Sequence, residues 1–263
     1  MNLSIVKRHL KEIRNYGLYF LQKRSLPSNK FVIFGRGRSG STLLVNLLSN
    51  QNQVHCDNEI LHDRLLFPRT YIDLCSSHYE SSVYGFKLLS YQVRDVQPIS
   101  KPENFLLSLY ESGYKFIYLT RSNLVDHALS NINAKHKQKY HHRSHEGELE
   151  YKPIKVEIEE VFQRIQFSEE LGKYEKKLLQ KIPHLSLTYE DNLLDSECHQ
   201  KTVDQVLELF NLPSKPVKTN LVKLMPLELS KMVENYEELI EAIQKSKYAD
   251  FIRDNTSKSK QQV

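Results

Sequence analysis

Short apolar runs alternate along this chain with longer amphipathic stretches. Lys30-Phe31-Val32-Ile33-Phe34 is a compact apolar run closed by Gly35, the pattern of a buried strand. Val83 to Leu89, Lys115 to Thr120 and His184 to Tyr189 repeat it. Between these runs the period lengthens. Leu43, Leu44, Val45, Leu47 and Leu48 give residues 41–49 a wide helical face, and helices are expected near 123–135 and 154–181. The C-terminal third reads as helical, interrupted by Pro213, Pro216 and Pro226. Strands separated by helices imply βαβ units, hence a parallel sheet covered on both faces. Ser49 to Asn58 is almost wholly polar, unlike a buried strand.

Ahead of the first strand, Leu3, Val6, Leu10, Ile13, Leu18 and Leu21 recur at spacings of three to five, an amphipathic helix ended by Pro27. Charge sharpens this picture. The chain carries a formal net charge of +5, but residues 1–30 alone carry +6, from seven lysines and arginines against Glu12. The rest is close to neutral, so a basic leader rather than a nucleic-acid-binding body explains the balance, and no nucleic-acid partner is expected. The leader has two readings: a helix packed on the domain's flank, or a peripheral membrane or partner contact through residues 1–24.

With 263 residues, 40% of them hydrophobic, the chain suits one α/β domain over 30–256, preceded by the helix at 1–29 and followed by a frayed tail at 257–263. Cys56, Cys75 and Cys198 are widely spaced and odd in number, which argues for a reducing compartment and against a disulfide framework or thiolate zinc site. No apolar run approaches a bilayer span, and the N-terminus lacks the continuous core of a secretory signal, so a cytoplasmic protein is expected.

Chemistry concentrates in the loop after the first strand, Gly35-Arg36-Gly37-Arg38-Ser39-Gly40-Ser41-Thr42. A glycine-rich loop between a strand and a helix start is an anion site, because the first-turn N–H groups and the positive end of the helix dipole both favour phosphate. Three families use such a loop. A nucleoside-triphosphate loop requires lysine where Ser41 stands, so that reading is weak. Gly35, Gly37 and Gly40 also spell the dinucleotide fingerprint, with Glu59 near the place of its ribose-binding acid. That acid should end an apolar strand, and the stretch before Glu59 is polar.

The third reading is a resemblance. Arg38-Ser39-Gly40-Ser41-Thr42-Leu43-Leu44 resembles the 5′-phosphosulfate loop of sulfotransferases that use 3′-phosphoadenosine 5′-phosphosulfate (PAPS). Ile117 to Asn123, with Ser130 nine residues beyond Arg121, resembles that superfamily's 3′-phosphate motif, and Tyr189-Glu190-Asp191-Asn192-Leu193 its turn after the fourth strand. Lys218-Thr219-Asn220 and Leu229 to Tyr248 resemble the bacterial carbohydrate branch, which includes nodulation-factor and trehalose sulfotransferases. The likeness spans about residues 30–252.

The resemblance implies a P-loop NTPase-like three-layer sandwich with a central parallel sheet and additional C-terminal helices. It implies sulfuryl transfer from PAPS to a hydroxyl, on a carbohydrate or glycolipid acceptor, without a metal. Arg36, Gly37, Arg38, Ser39, Gly40, Ser41 and Thr42 would hold the 5′ side of the donor, and Arg121 and Ser130 its 3′-phosphate. Arg38 would neutralise the bridge oxygen and Lys87 the sulfuryl oxygens, although a lysine snorkelling from a strand end is the alternative for Lys87. Glu59 would be the base, with His62 next in line and His55 and Asp57 close by. The Arg-Lys-Gly signature of cytosolic sulfotransferases is missing, leaving Lys218 and Lys223 as substitutes. His136, His141, His142 and His145 mix with Lys135, Lys137, Lys139 and Arg143, which reads as a basic loop lining the acceptor cleft rather than a metal site. The alternatives are a Rossmann-type NAD(P)-binding oxidoreductase and a nucleotide-binding module without catalysis.

Overall fold

The computed structural model describes residues 3–22, 25–80, 82–137, 153–219 and 229–252. The chain divides into two compact units: residues 1–120 with 172–219, and residues 121–171 with 220–263.

The first unit is built on five strands, β1 (Lys30–Gly35), β2 (Val54–Glu59), β3 (Val83–Leu89), β4 (Tyr114–Thr120) and β5 (His184–Thr188). All neighbours pair in parallel, in the order β2-β3-β1-β4-β5. The two-residue period of β1 decides how the layers form. Phe31 and Ile33 face one side, where α2 (Ser41–Ser49) and α8 (Cys198–Glu208) bring Leu44, Leu47, Val203 and Val206. Val32 and Phe34 face the other, where Ile72 of α3 (Pro68–Ser76), Leu106 and Leu109 of α4 (Pro102–Glu111) and Leu178 close the core. The result is an α/β arrangement with a central all-parallel sheet and helices on both faces.

The polar segment before Glu59 contains a strand after all. Within β2, Val54 and Cys56 are buried while His55 and Asp57 are half-exposed, a plain in–out alternation. β2 is an edge strand with β3 as its one neighbour, so it needs only one apolar row. Its place also bears on the dinucleotide reading. In that fold the second strand lies beside the first, whereas here β3 separates β2 from β1.

α1 (Leu3–Gln22) belongs to this unit and docks through polar contacts. Glu12, buried, accepts from the Tyr16 hydroxyl and from Leu66 N at 2.9 Å. Tyr16 packs edge-on against Phe67, ring centroids 5.9 Å apart.

In the second unit, Val125, Ala128, Leu129 and Ile132 of α5 (Leu124–Lys137) pack with Val161 and Ile165 of α6 (Ile158–Leu178) and with Leu239 and Ile243 of α9 (Tyr236–Gln244). Ile154 and Val233 form a parallel bridge beside them. Asn123 caps α5, its Oδ1 accepting from Asp126 N at 2.9 Å. No helix among the described residues is long and apolar enough to cross a membrane.

Candidate functional site

The loop between β1 and α2 takes its shape from two glycines. Gly35 has φ 155°, and a Cβ there would lie 2.2 Å from the Leu119 carbonyl oxygen. Gly40 is left-handed at φ 83°, and a Cβ would meet Tyr189 at 2.7 Å and Leu193 at 2.9 Å. Those two residues belong to and follow the one-turn helix α7 (Tyr189–Asn192), which Thr188 starts by accepting from Asp191 N at 3.1 Å. The Tyr-Glu-Asp turn singled out in the sequence therefore packs on the loop. Between the glycines, Arg38 holds φ 64° without being glycine. Strain of this kind costs on the order of 1–3 kcal/mol and persists where the surroundings enforce it.

α2 begins at Ser41, with Leu44 N bonded to Gly40 O at 3.1 Å, so the N–H groups ahead of Leu44 have no partner within the helix. The Ser39 hydroxyl is fully buried and makes no hydrogen bond among the described residues. A buried donor at a helix start, beside a half-buried arginine, suits an anionic ligand.

Lys87 lies in the interior of β3 and is 3% exposed, so it does not snorkel. Its Nζ donates to Thr42 Oγ1 at 3.1 Å and pairs with Glu59 Oε1 at 2.9 Å. The pairing of Glu59 with Lys87 depends on a bulge. Along β2, Asp57 pairs with Phe86, and then Glu59, not Asn58, pairs with Lys87. Under regular pairing Asn58 would stand opposite Lys87, and Glu59 would stand opposite Leu88 and point to the other face of the sheet. The bulge thus aims the carboxylate at the lysine that touches the loop. Glu59 Oε2 also accepts from Gln92 Nε2 at 2.9 Å and from the Tyr91 hydroxyl at 3.2 Å.

Arg36 is anchored under the loop. Its guanidinium lies 3.3 Å from Glu175 Oε2, and both side chains are nearly or fully buried. Glu175 also accepts from Ser90 Oγ at 2.7 Å and from the Tyr118 hydroxyl at 3.0 Å. Burial pushes the Glu175 carboxyl above its ordinary value, against the pull of Arg36 and the two hydroxyls. Gly172, one turn earlier on α6, makes room, since a Cβ there would lie 2.6 Å from the Arg36 guanidinium.

Of the residues expected from sequence, Thr42, Lys87 and Glu59 form one connected cluster, and Arg36 to Ser41 make the adjoining loop. His62 lies in an exposed turn, donating from Nδ1 to Glu59 O at 2.7 Å. His55 and Asp57 bond to each other at 3.0 Å, and Asp57 accepts from Tyr84, so they share the sheet face opposite Lys87. Arg121 and Ser130 belong to the second unit. Arg121 directly follows the last residue of β4, is buried, and faces Asp126 Oδ2 at 3.6 Å; Ser130 is buried on α5. Lys218 is described, and its carbonyl accepts from Asn50 at 3.1 Å. Lys223 and the basic loop's His141, His142 and His145 lie outside the described residues.

Sequence reading missed Gln92, Tyr91, Ser90 and Glu175. Gln92 opens a π-helical turn, Gln92–Val96, just after β3, and nothing in its neighbours announces that. Glu175 did leave a signal, an acid between Leu171 and Leu178 on the core-facing stripe of a long helix.

No family model matches the chain, and no curated protein matches it. Among solved structures it is similar to the crystal structure of a sulfotransferase from Alicyclobacillus acidocaldarius, at 12% identity over 87% of this chain and 93% of that one, with a TM-score of 0.49. Likeness at that level carries no functional weight, and the residues of the site must supply it.

Proposed function

We propose that the chain transfers a sulfuryl group from PAPS to a hydroxyl of a carbohydrate or glycolipid. The observation that carries the reading is the chain of contacts from Glu59 through Lys87 to Thr42, which ties an acid to an anion-binding loop through a buried cation. The acceptor oxygen attacks sulfur, the bond from sulfur to the bridging phosphate oxygen breaks, and 3′-phosphoadenosine 5′-phosphate leaves. The acceptor's proton passes to Glu59. Arg38 and Lys87 face the growing negative charge, which fixed cations stabilise without reorganising during the step. Gln92 and Tyr91 hold the carboxylate in place. Arg36 positions the loop from beneath through Glu175. Arg121 and Ser130 take the donor's 3′-phosphate in this reading.

The parallel order with β3 between β1 and β2 supports this reading over a dinucleotide oxidoreductase. Isothermal titration separates the readings directly. The sulfotransferase binds 3′-phosphoadenosine 5′-phosphate and neither NAD nor ATP; tight NAD binding would remove the proposal. A chain that binds the nucleotide yet transfers nothing to any saccharide or glycolipid hydroxyl would be a binding module.

A further inference from the structure

α1 docks on the first unit with the wrong face for a simple flank helix. Among its described side chains the buried ones are Glu12 and Tyr16, held by polar contacts to Leu66 and Phe67. Large apolar side chains among them point away: Leu10 is 62% exposed, Ile13 52%, Leu18 47%, Phe20 66% and Leu21 81%. At 100° per residue, Leu10, Ile13, Phe20 and Leu21 fall within one arc of about 100°, centred well off the Glu12–Tyr16 side. Phe67, whose ring meets Tyr16, is itself 58% exposed, and Leu66 beside it is also exposed. Folding has left uncovered the stripe that an amphipathic helix normally hides.

Charge identifies what covers it. Arg14 is exposed and, by helical spacing, borders the apolar arc next to Leu10 and Leu21. The helix α1 itself carries Lys7, Arg8, Lys11 and Arg14 against Glu12, a net +3. A second copy of the helix laid on this stripe about a two-fold axis would bring like charges together. An anionic lipid surface instead satisfies both halves, taking the apolar arc into its acyl boundary and the basic border at its headgroups. We propose that α1, with Leu66 and Phe67, is a docking surface for an anionic phospholipid bilayer, on which the helix lies flat without spanning. This inference stands apart from the chemistry of the loop.

The test is co-flotation of the full chain with phosphatidylcholine vesicles, with and without phosphatidylserine. Binding is expected to require phosphatidylserine and to weaken as salt rises. Leu10→Asn with Leu21→Asn should weaken it at least about tenfold, and Arg14→Glu by about fivefold or more. Because these side chains are exposed, the urea unfolding midpoint should not move, which separates lost docking from lost folding. Absence of phosphatidylserine-dependent flotation overturns the proposal, as does wild-type flotation by the Leu10/Leu21 variant. A concentration-dependent dimer abolished by that variant, without vesicle binding, overturns it too and assigns the stripe to a second copy.

Discussion

Arg36 and Arg38 are two residues apart in one loop, yet their surroundings divide their tasks. Arg36 faces the buried Glu175, and Arg38 sits half-buried in a left-handed conformation at the crest. Removing Arg38, or the carboxylate that holds Arg36, should therefore give different losses. Arg38→Ala should lower turnover by about 10²–10³-fold with little change in stability, measured by steady-state kinetics and urea unfolding. Glu175→Ala leaves the Arg36 guanidinium buried without its carboxylate and should cost about 3–5 kcal/mol in urea unfolding. The pH dependence of Glu175 has a definite sign. With its folded carboxyl raised above the ordinary value, its contribution to stability is fully present below that value and fades as pH rises through the folded one. Comparing the unfolding midpoints of wild type and Glu175→Gln across acid pH should show wild type losing ground as pH rises. Burial also pushes the Cys75 thiol up to about 12. Alkylation of Cys75 at pH 8 should then follow global unfolding rather than run at the rate of an exposed thiol.

Elements explain what could be read from sequence and what could not. The central strands β1, β3 and β4 are buried on both faces, and their apolar runs stand out within one to two residues of their bounds. β2 escaped because an edge strand with one covered face needs only Val54 and Cys56 inside, leaving its other residues polar. The bulge at Asn58 has no sequence signature at all, yet it decides which face Glu59 occupies. Glu59 and Lys87 could each be singled out by residue type, but their pairing could not, since it depends on register across two strands. Two measurements test this level. Amide hydrogen exchange should be slowest in β1, with a neighbour on each side, and faster in β2 at the edge. Gly35→Ala, which drives a Cβ into the Leu119 carbonyl, should destabilise the fold well beyond Gly37→Ala, whose nearest new contact is an ordinary 3.8 Å.

At the scale of the molecule, the parallel sheet with helices on both faces agrees with the alternation of apolar runs and amphipathic stretches. Loop, acid and lysine all lie in the first unit, toward the carboxyl ends of parallel strands, where α/β sheets bind ligands. Arg121 and Ser130, expected together from one sequence motif to hold a second anion, belong to the second unit, Arg121 immediately after β4 and Ser130 on α5. Sulfuryl transfer to a hydroxyl, the proposed reaction, is checked by incubating the purified chain with PAPS labelled in its sulfur and a panel of saccharides and glycolipids. Label is expected in at least one acceptor, formed with stoichiometric 3′-phosphoadenosine 5′-phosphate and reduced about 10²-fold or more by Glu59→Gln. Label that stays with the donor against every hydroxyl acceptor would overturn the proposed transfer.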